Sequence, residues 1–347
     1  MQSTYPPGQY NLITDVPGLK LGHATDTALK SGSTVLVPDE PAVASIAIMG
    51  GAPGTRDIAL LEPEQTVEKV DALVLSGGSA FGLDAAGGVQ AALAEAGRGF
   101  AIGPVRVPIT PTAILFDLLN GGDKNWGTFS PYRELGYRAA KAALASTDKA
   151  FSLGSVGAGT GALTADLKGG LGSASSCLPS GATLGALVAA NPLGRTTIGS
   201  SNHFWAAPFE QNREYGNCGM PSPWPQDATE LVTKLSLSQE PAQPLSNTTI
   251  AIIATDLALT KAQAKRIATV AHDGMARAIF PSHTPLDGDL VFVLSTGRQK
   301  LKSADSELLE LGHIAALTLA RAIARGIYEA TPEPGDLLPC WRQRHKV

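Results

Sequence analysis

Aromatic side chains make up only 5% of this 347-residue chain, and charged ones only 17%, against about a quarter in ordinary globular proteins. A core poor in rings has to be built from Ala, Val, Leu and Ile. At 44% hydrophobic residues there are enough of them to bury a large one. Basic charge is not in excess: 27 Lys and Arg stand against 31 Asp and Glu, a net charge of −4. That is a poor footprint for a phosphate backbone, so nucleic acid is not an expected partner. Cysteine is sparse and odd in number (Cys177, Cys218, Cys340), with wide spacings and no CxxC pair. Neither a disulfide framework nor a zinc site is legible. The six histidines form no HExxH and no i,i+4 pair, which disfavours a metal enzyme. No metal or organic cofactor is expected. No run of about 18 apolar residues occurs, so no membrane span is expected. Residues 1–7 lack the charged and apolar regions of a signal peptide, and a cytoplasmic protein is the expectation.

Glycine and proline are plentiful instead, at 38 and 24 residues spread along the chain. They suit many tight turns and close backbone contacts. Asn11–Gly18 reads as a short strand and turn. Thr34–Val37, Ser45–Met49 and Ala72–Leu75 read as strands, the last two running into the glycine-rich loops Gly50–Asp57 and Ser76–Asp84. Ala80–Glu95 is predicted as a small-residue helix and Tyr132–Ser146 as another. Gly169, Gly170 and Gly172 suggest a hairpin over Ala162–Ser175, and Leu184–Ala190 a strand ending at Asn191-Pro192. Residues 201–246 are long, polar and proline-rich, an unusual connection inside a compact domain. The last hundred residues read strand, helix, strand, helix: Ile250–Thr255, Lys261–Phe280 with Thr260 as N-cap, Asp289–Ser295, and Asp305–Ala330 with Ser303 near its start. No repeat of 20–50 residues is visible. Mixed α and β elements with non-alternating strands predict helices outside sheets.

The segment richest in chemistry is Asn247-Thr248-Thr249-Ile250, a hydroxyl residue at the head of an apolar strand. Two ordinary readings exist: Thr as a good strand starter, and an N-x-T sequon, which carries little weight without a secretory signal. The functional reading is self-cleavage, with Thr248 Oγ attacking the Asn247 carbonyl. Thr248 then becomes a new N-terminus that carries both a nucleophile and an amine to serve as its base. Such an amine titrates at about 7.7–8.0, near working pH. Asp287-Gly288-Asp289 sets two carboxylates on one face before a strand. It reads either as a D-G turn or as a charged pair that orients a nearby hydroxyl or ammonium. No EF-hand pattern continues after Gly288. Gly157-Ala-Gly159-Thr-Gly161-Ala162 fits a dinucleotide fingerprint only loosely, without a βαβ unit behind it. Gly77-Gly-Ser79-Ala-Phe81 is no nucleophile elbow, because position 81 is Phe.

Taken together and in order, these segments resemble one family, the L-aminopeptidase/D-esterase (β-aminopeptidase) group of N-terminal-nucleophile hydrolases. The nylon-oligomer (6-aminohexanoate-oligomer) hydrolases are close relatives of that group. The likeness runs through Asp15–His23, Gly51–Asp57, Leu75–Gly82, Gly157–Gly161, Asn191-Pro192, Asn247–Ile250, Ala254–Asp256 and Asp287–Asp289. It implies an α/β (α+β) fold, a four-layer αββα sandwich. It also implies a single catalytic domain over 1–347 that cuts itself into 1–247 and 248–347, with αβ units associating into homo-oligomers such as tetramers. Thr248 matches the family nucleophile and Asn191 the amide that holds the oxyanion. Lys168 matches a lysine beside the nucleophile in the nylon-oligomer hydrolases, and Asp287 and Asp289 match an acidic pair there. Phe116 stands where relatives often carry Tyr, so one hydroxyl that touches substrate or oxyanion is missing. The implied activity is hydrolysis of linear amides or small peptides, with 6-aminohexanoate oligomers as one substrate. The alternatives are an aminopeptidase acting on L-, D- or β-amino acids, and an acyltransferase using the same nucleophile.

Overall fold

The computed structural model describes residues 4–237 and 247–346. Its strands are β1 (Leu19–Asp26), β2 (Ser31–Pro38), β3 (Ala42–Ile48), β4 (Gly54–Arg56), β5 (Lys69–Val70), β6 (Leu73–Ser76), β7 (Phe100–Ile102), β8 (Val105–Val107), β9 (Thr112–Ile114), β10 (Gly170–Cys177), β11 (Thr183–Asn191), β12 (Thr248–Leu257) and β13 (Leu290–Gln299). The helices are α1 (Ala85–Glu95), α2 (Tyr132–Ala145), α3 (Lys234–Leu237), α4 (Lys261–Ala276), α5 (Ala304–Tyr328) and α6 (Trp341–His345). One sheet runs β1-β2-β6-β9-β4 and the other β10-β11-β12-β13-β3-β5.

The apolar runs of the central strands are buried along their whole length, as in β2 and β12. Alternate residues of each run serve different cores, because successive side chains leave a strand on opposite faces. Leu36 of β2 and Ile250 and Ile252 of β12 point between the sheets, where they meet Leu21, Leu75, Leu187 and Phe292. Val35 and Val37 face the other way, onto Val89 and Leu93 of α1 and Ala139 and Ala143 of α2. Ala251 and Ile253 pack on Ile267 and Ala271 of α4 and Leu319 and Ile323 of α5. The layers are therefore α1/α2, first sheet, second sheet, α4/α5, the four-layer αββα order that the resemblance implied. The α1–α2 contact depends on missing side chains: a β-carbon on Gly88 would lie 1.8 Å from Arg133 O, and one on Gly136 2.1 Å from Ala85 O.

The C-terminal elements follow the pattern expected from sequence. β12 and β13 pair in parallel, joined by the α4 crossover, and Thr260 caps α4 with its side chain accepting from Gln263 N. Ser303 is the N-cap of α5. Other expectations need correction. Asn11–Gly18 holds a 3-10 turn at Ile13–Asp15 rather than a strand. The first turns of the expected Ala80–Glu95 helix are 3-10, over Ser79–Asp84, since Gly78 and Ser79 adopt left-handed φ values of 91° and 51°. The Ala162–Ser175 hairpin reduces to one bridge, Leu163 to Lys168. The true hairpin is β10–β11, and Gly170 lies inside it, where a β-carbon would strike Gly326 O at 2.3 Å. The connection from 201 to 237 is not a free loop. Its Phe204 and Tyr215 are core residues, Phe204 stacking on Trp341 at 5.4 Å. The rest of that connection, 238–246, lies outside the described residues.

Candidate active site

Thr248 opens β12 in the middle of the second sheet, and the antiparallel register with β11 sets it opposite Asn191. Asn247, Thr248 and Asn191 are 1–2% exposed, so the Asn247–Thr248 bond is enclosed in the continuous chain. Asn247 pairs in parallel with Asp287. Its amide donates to Leu286 O at 3.2 Å, and its carbonyl oxygen accepts the Gly288 amide at 2.7 Å. A backbone N–H thus already polarises the carbonyl on the N-terminal side of Thr248. Gly288 also borders the hydroxyl: a β-carbon there would lie 2.7 Å from both Thr248 Oγ1 and Ala52 O.

The acidic turn is held by many donors. Asp289 Oδ1 accepts the Thr249 amide at 2.8 Å, and its Oδ2 accepts His283 N at 3.0 Å and pairs with His283 Nδ1 at 2.9 Å. Asp287 accepts Leu193 N at 3.3 Å, Thr284 N at 2.9 Å and the Thr284 hydroxyl at 2.7 Å. Burial and the neighbouring Asp289 charge raise the Asp287 pKa above the usual carboxylate range. Burial alone would lower the His283 pKa, but its hydrogen bond to Asp289 and that group's charge outweigh it and raise the value. The Gly50–Gly54 loop braces the turn from outside: Gly50 N donates to Asp289 O at 3.1 Å and Ala52 N to Asp287 O at 2.8 Å. The Gly77–Gly82 loop does different work, since Gly78 N donates to the buried Asp117 at 2.8 Å.

Lys168 is engaged elsewhere. Its Nζ donates to Asp336 at 2.7 Å and to Thr331 O at 2.9 Å, and neither acceptor belongs to the Thr248 cluster. The lysine that does reach the cluster is Lys234, which sequence reasoning missed. Its Nζ donates to Asn191 Oδ1 at 3.0 Å and Asn191 O at 3.2 Å. Burial lowers its pKa to about 7, against an opposing pull from Asp287. Asn191 is otherwise fixed by Leu163 N donating to Oδ1 at 2.9 Å and by its own Nδ2 donating to Phe116 O at 2.9 Å. Phe116 therefore meets the site through its carbonyl, with a half-buried ring.

The low Lys234 value has a consequence for stability. Between about pH 7 and the ordinary lysine range, the unfolded chain binds a proton at Lys234 that the folded chain does not. Stability then rises with pH through that window and is lost as pH falls toward 7. In the uncut Thr248→Ala background, denaturant titrations should show this slope, and Lys234→Met should flatten it. An equal slope in both proteins would show that the Lys234 pKa is not depressed.

The profile of Peptidase family S58 matches residues 11–336. The chain belongs to this family. A relative described as an uncharacterized aminopeptidase of Mycobacterium tuberculosis (strain ATCC 25618 / H37Rv) is 40% identical over 350 residues, covering 96% of this chain and 97% of the relative. The 6-aminohexanoate-oligomer endohydrolase of Agromyces sp. (strain KY5R) is 24% identical, over 94% of this chain and 87% of that one. Among solved structures, the L-aminopeptidase D-Ala-esterase/amidase of Ochrobactrum anthropi, described as a variant of the Ntn hydrolase fold, aligns with a TM-score of 0.68 and 22% identity. It covers 100% of this chain and 95% of the neighbour. The β-aminopeptidase of a Burkholderia species gives 0.69 at 22% identity over the same shares. As an S58 member the chain is a hydrolase of peptide or amide bonds, and its fold is that of the Ntn-type aminopeptidases. No helix among the described residues is long and apolar enough to cross a membrane.

Proposed function

We propose that this S58 hydrolase cuts itself between Asn247 and Thr248, and that Thr248 is then its nucleophile. The observation that carries this reading is the 2.7 Å hydrogen bond from Gly288 N to Asn247 O, beside a buried hydroxyl at the head of a strand. In self-cleavage Thr248 Oγ adds to the Asn247 carbonyl carbon, and the Asn247–Thr248 C–N bond breaks to leave an ester. The Thr248 amine freed in that step takes up the hydroxyl proton, and water then hydrolyses the ester to the Asn247 carboxylate and the Thr248 hydroxyl. In turnover the same oxygen attacks a substrate amide, with that amine taking the proton. The second Nδ2 hydrogen of Asn191 stabilises the substrate oxyanion, a contribution of roughly 2.7–4 kcal/mol where such donors have been removed. Asp287 and Asp289 fix the backbone on either side of the nucleophile and balance the charge of its ammonium. Phe116 positions Asn191 through its carbonyl. Self-association of the processed units belongs to the same reading. Support for it comes from the β7–β8 hairpin, which exposes Phe100, Ile102, Val105 and Val107.

The preferred substrates are small peptides or amides, cut behind an N-terminal residue. Relatives named aminopeptidase are 38–40% identical to this chain. Those named 6-aminohexanoate-oligomer endohydrolase share 24–25%. Lys168, a residue that favoured the oligomer branch, has its ammonium on Asp336. Hydrolysis of 6-aminohexanoate oligomers is the second reading, kept because those relatives align along nearly the whole chain. Acid-quenching the enzyme during turnover of an aminoacyl amide tests the nucleophile. The 248–347 chain should gain the mass of one acyl group, on Thr248. An acyl group on any other residue would refute the assignment. Products from a mixed panel of aminoacyl amides and 6-aminohexanoate oligomers then decide between the two substrate readings.

A further inference from the structure

Lys234 lies 43 residues from Asn191 in sequence and still clamps it twice, at the side-chain oxygen and at the carbonyl. Its own backbone N donates to Leu193 O at 3.1 Å, and Leu193 N in turn reaches Asp287. One short helix is thereby tied to both the amide and the acidic turn. A backbone N–H can only donate, so the Asn191 atom that Leu163 N and Lys234 Nζ both face is oxygen. The NH2 group is thereby forced to the other side, where one hydrogen meets Phe116 O and the second is left for substrate.

We propose that Lys234 is a positioning residue for hydrolysis, orienting the Asn191 amide that holds the substrate oxyanion. The inference rests on the Thr248 reading above. It separates the two reactions of the site. In the continuous chain Gly288 N donates to the Asn247 carbonyl, and the only contacts to Asn191 Nδ2 and Oδ1 among the described residues lie elsewhere, so self-cleavage is expected not to depend on Lys234. The charged groups that face Lys234 are Asp287, from the turn before β13, and behind it Asp289.

The test is a double-mutant cycle on kcat with Asn191→Ala. Lys234→Met is expected to be cut like the wild type, to lose on the order of 10- to 100-fold in kcat, and to keep KM within about 3-fold. In the Asn191→Ala background it should cost nothing more, because its effect passes through Asn191. Losses that multiply in the double variant would make Lys234 an independent structural contributor and overturn the proposal, as would full kcat in Lys234→Met. Lys234→Arg keeps a long hydrogen-bond donor and guards against a variant that fails to fold. It should retain most of the activity, and a loss as large as that of Lys234→Met would count against the assignment. Wild type that is cut and acylated on Thr248 while Lys234→Met is unaffected sinks this proposal alone. An uncut wild type sinks the Thr248 reading and this assignment with it.

Discussion

Thr248→Ala leaves one polypeptide of about 35.7 kDa with no amidase activity, whatever the length of incubation. Losing the hydroxyl removes the only oxygen that the proposed route uses both to cut the chain and to form the acyl-enzyme. The neighbouring hydroxyl is the natural rival. Thr249 Oγ1 is buried and has no hydrogen-bond partner among the described residues. Strand alternation, however, sends it to the opposite face from Thr248. Thr249→Ala should therefore still be cut, and Thr248→Ser should be cut and active. Gel electrophoresis and an aminoacyl amide assay check all three. Cleavage in Thr248→Ala would refute the role of Thr248, and cleavage lost only in Thr249→Ala would move the nucleophile by one residue.

Gly288→Ala should slow self-cleavage by about 100-fold or more. The added carbon would lie 2.7 Å from Thr248 Oγ1 and from Ala52 O, and 3.1 Å from Thr248 Cγ2. Such contacts are too short to persist. Either the hydroxyl rotates away from the carbonyl, or the turn shifts off Ala52 and the Gly288 N–Asn247 O hydrogen bond stretches. Both displace the reacting atoms while leaving the three apolar cores intact, so the variant should fold. A time course of the precursor band measures the rate. Cleavage at the wild-type rate would show that the Gly288 contact plays no part.

Features written locally in the chain were legible in its sequence. The apolar run after Thr248 could only be a buried strand, and Thr260, α4 and β13 follow it in the order that a parallel crossover demands. The Asp287-Gly288-Asp289 turn was visible for the same reason, since glycine between two carboxylates before a strand is a short-range signal. Partners chosen by the tertiary fold were not legible. Lys168 finds Asp336, 168 residues onward, and Lys234 comes from a stretch with no periodicity to suggest that it reaches Asn191. His283 was visible beside the turn. Its pairing with Asp289 depends on a left-handed backbone at φ 57° that the sequence does not announce. The connection over 201–237 looked like a free loop because its core anchors show no periodicity: Tyr215 stands alone among polar residues, and Phe204 meets Tyr215 and Trp341 only in the folded chain.

The most direct test of the central claim is the intact mass of the purified wild-type protein together with the amino-terminal sequence of each component. Self-cleavage at the proposed bond gives two chains whose masses sum to the precursor plus one water, and the smaller begins Thr248-Thr249-Ile250. A single chain of precursor mass in a preparation that hydrolyses amides would contradict the N-terminal-threonine mechanism, and so would a new terminus at any other residue.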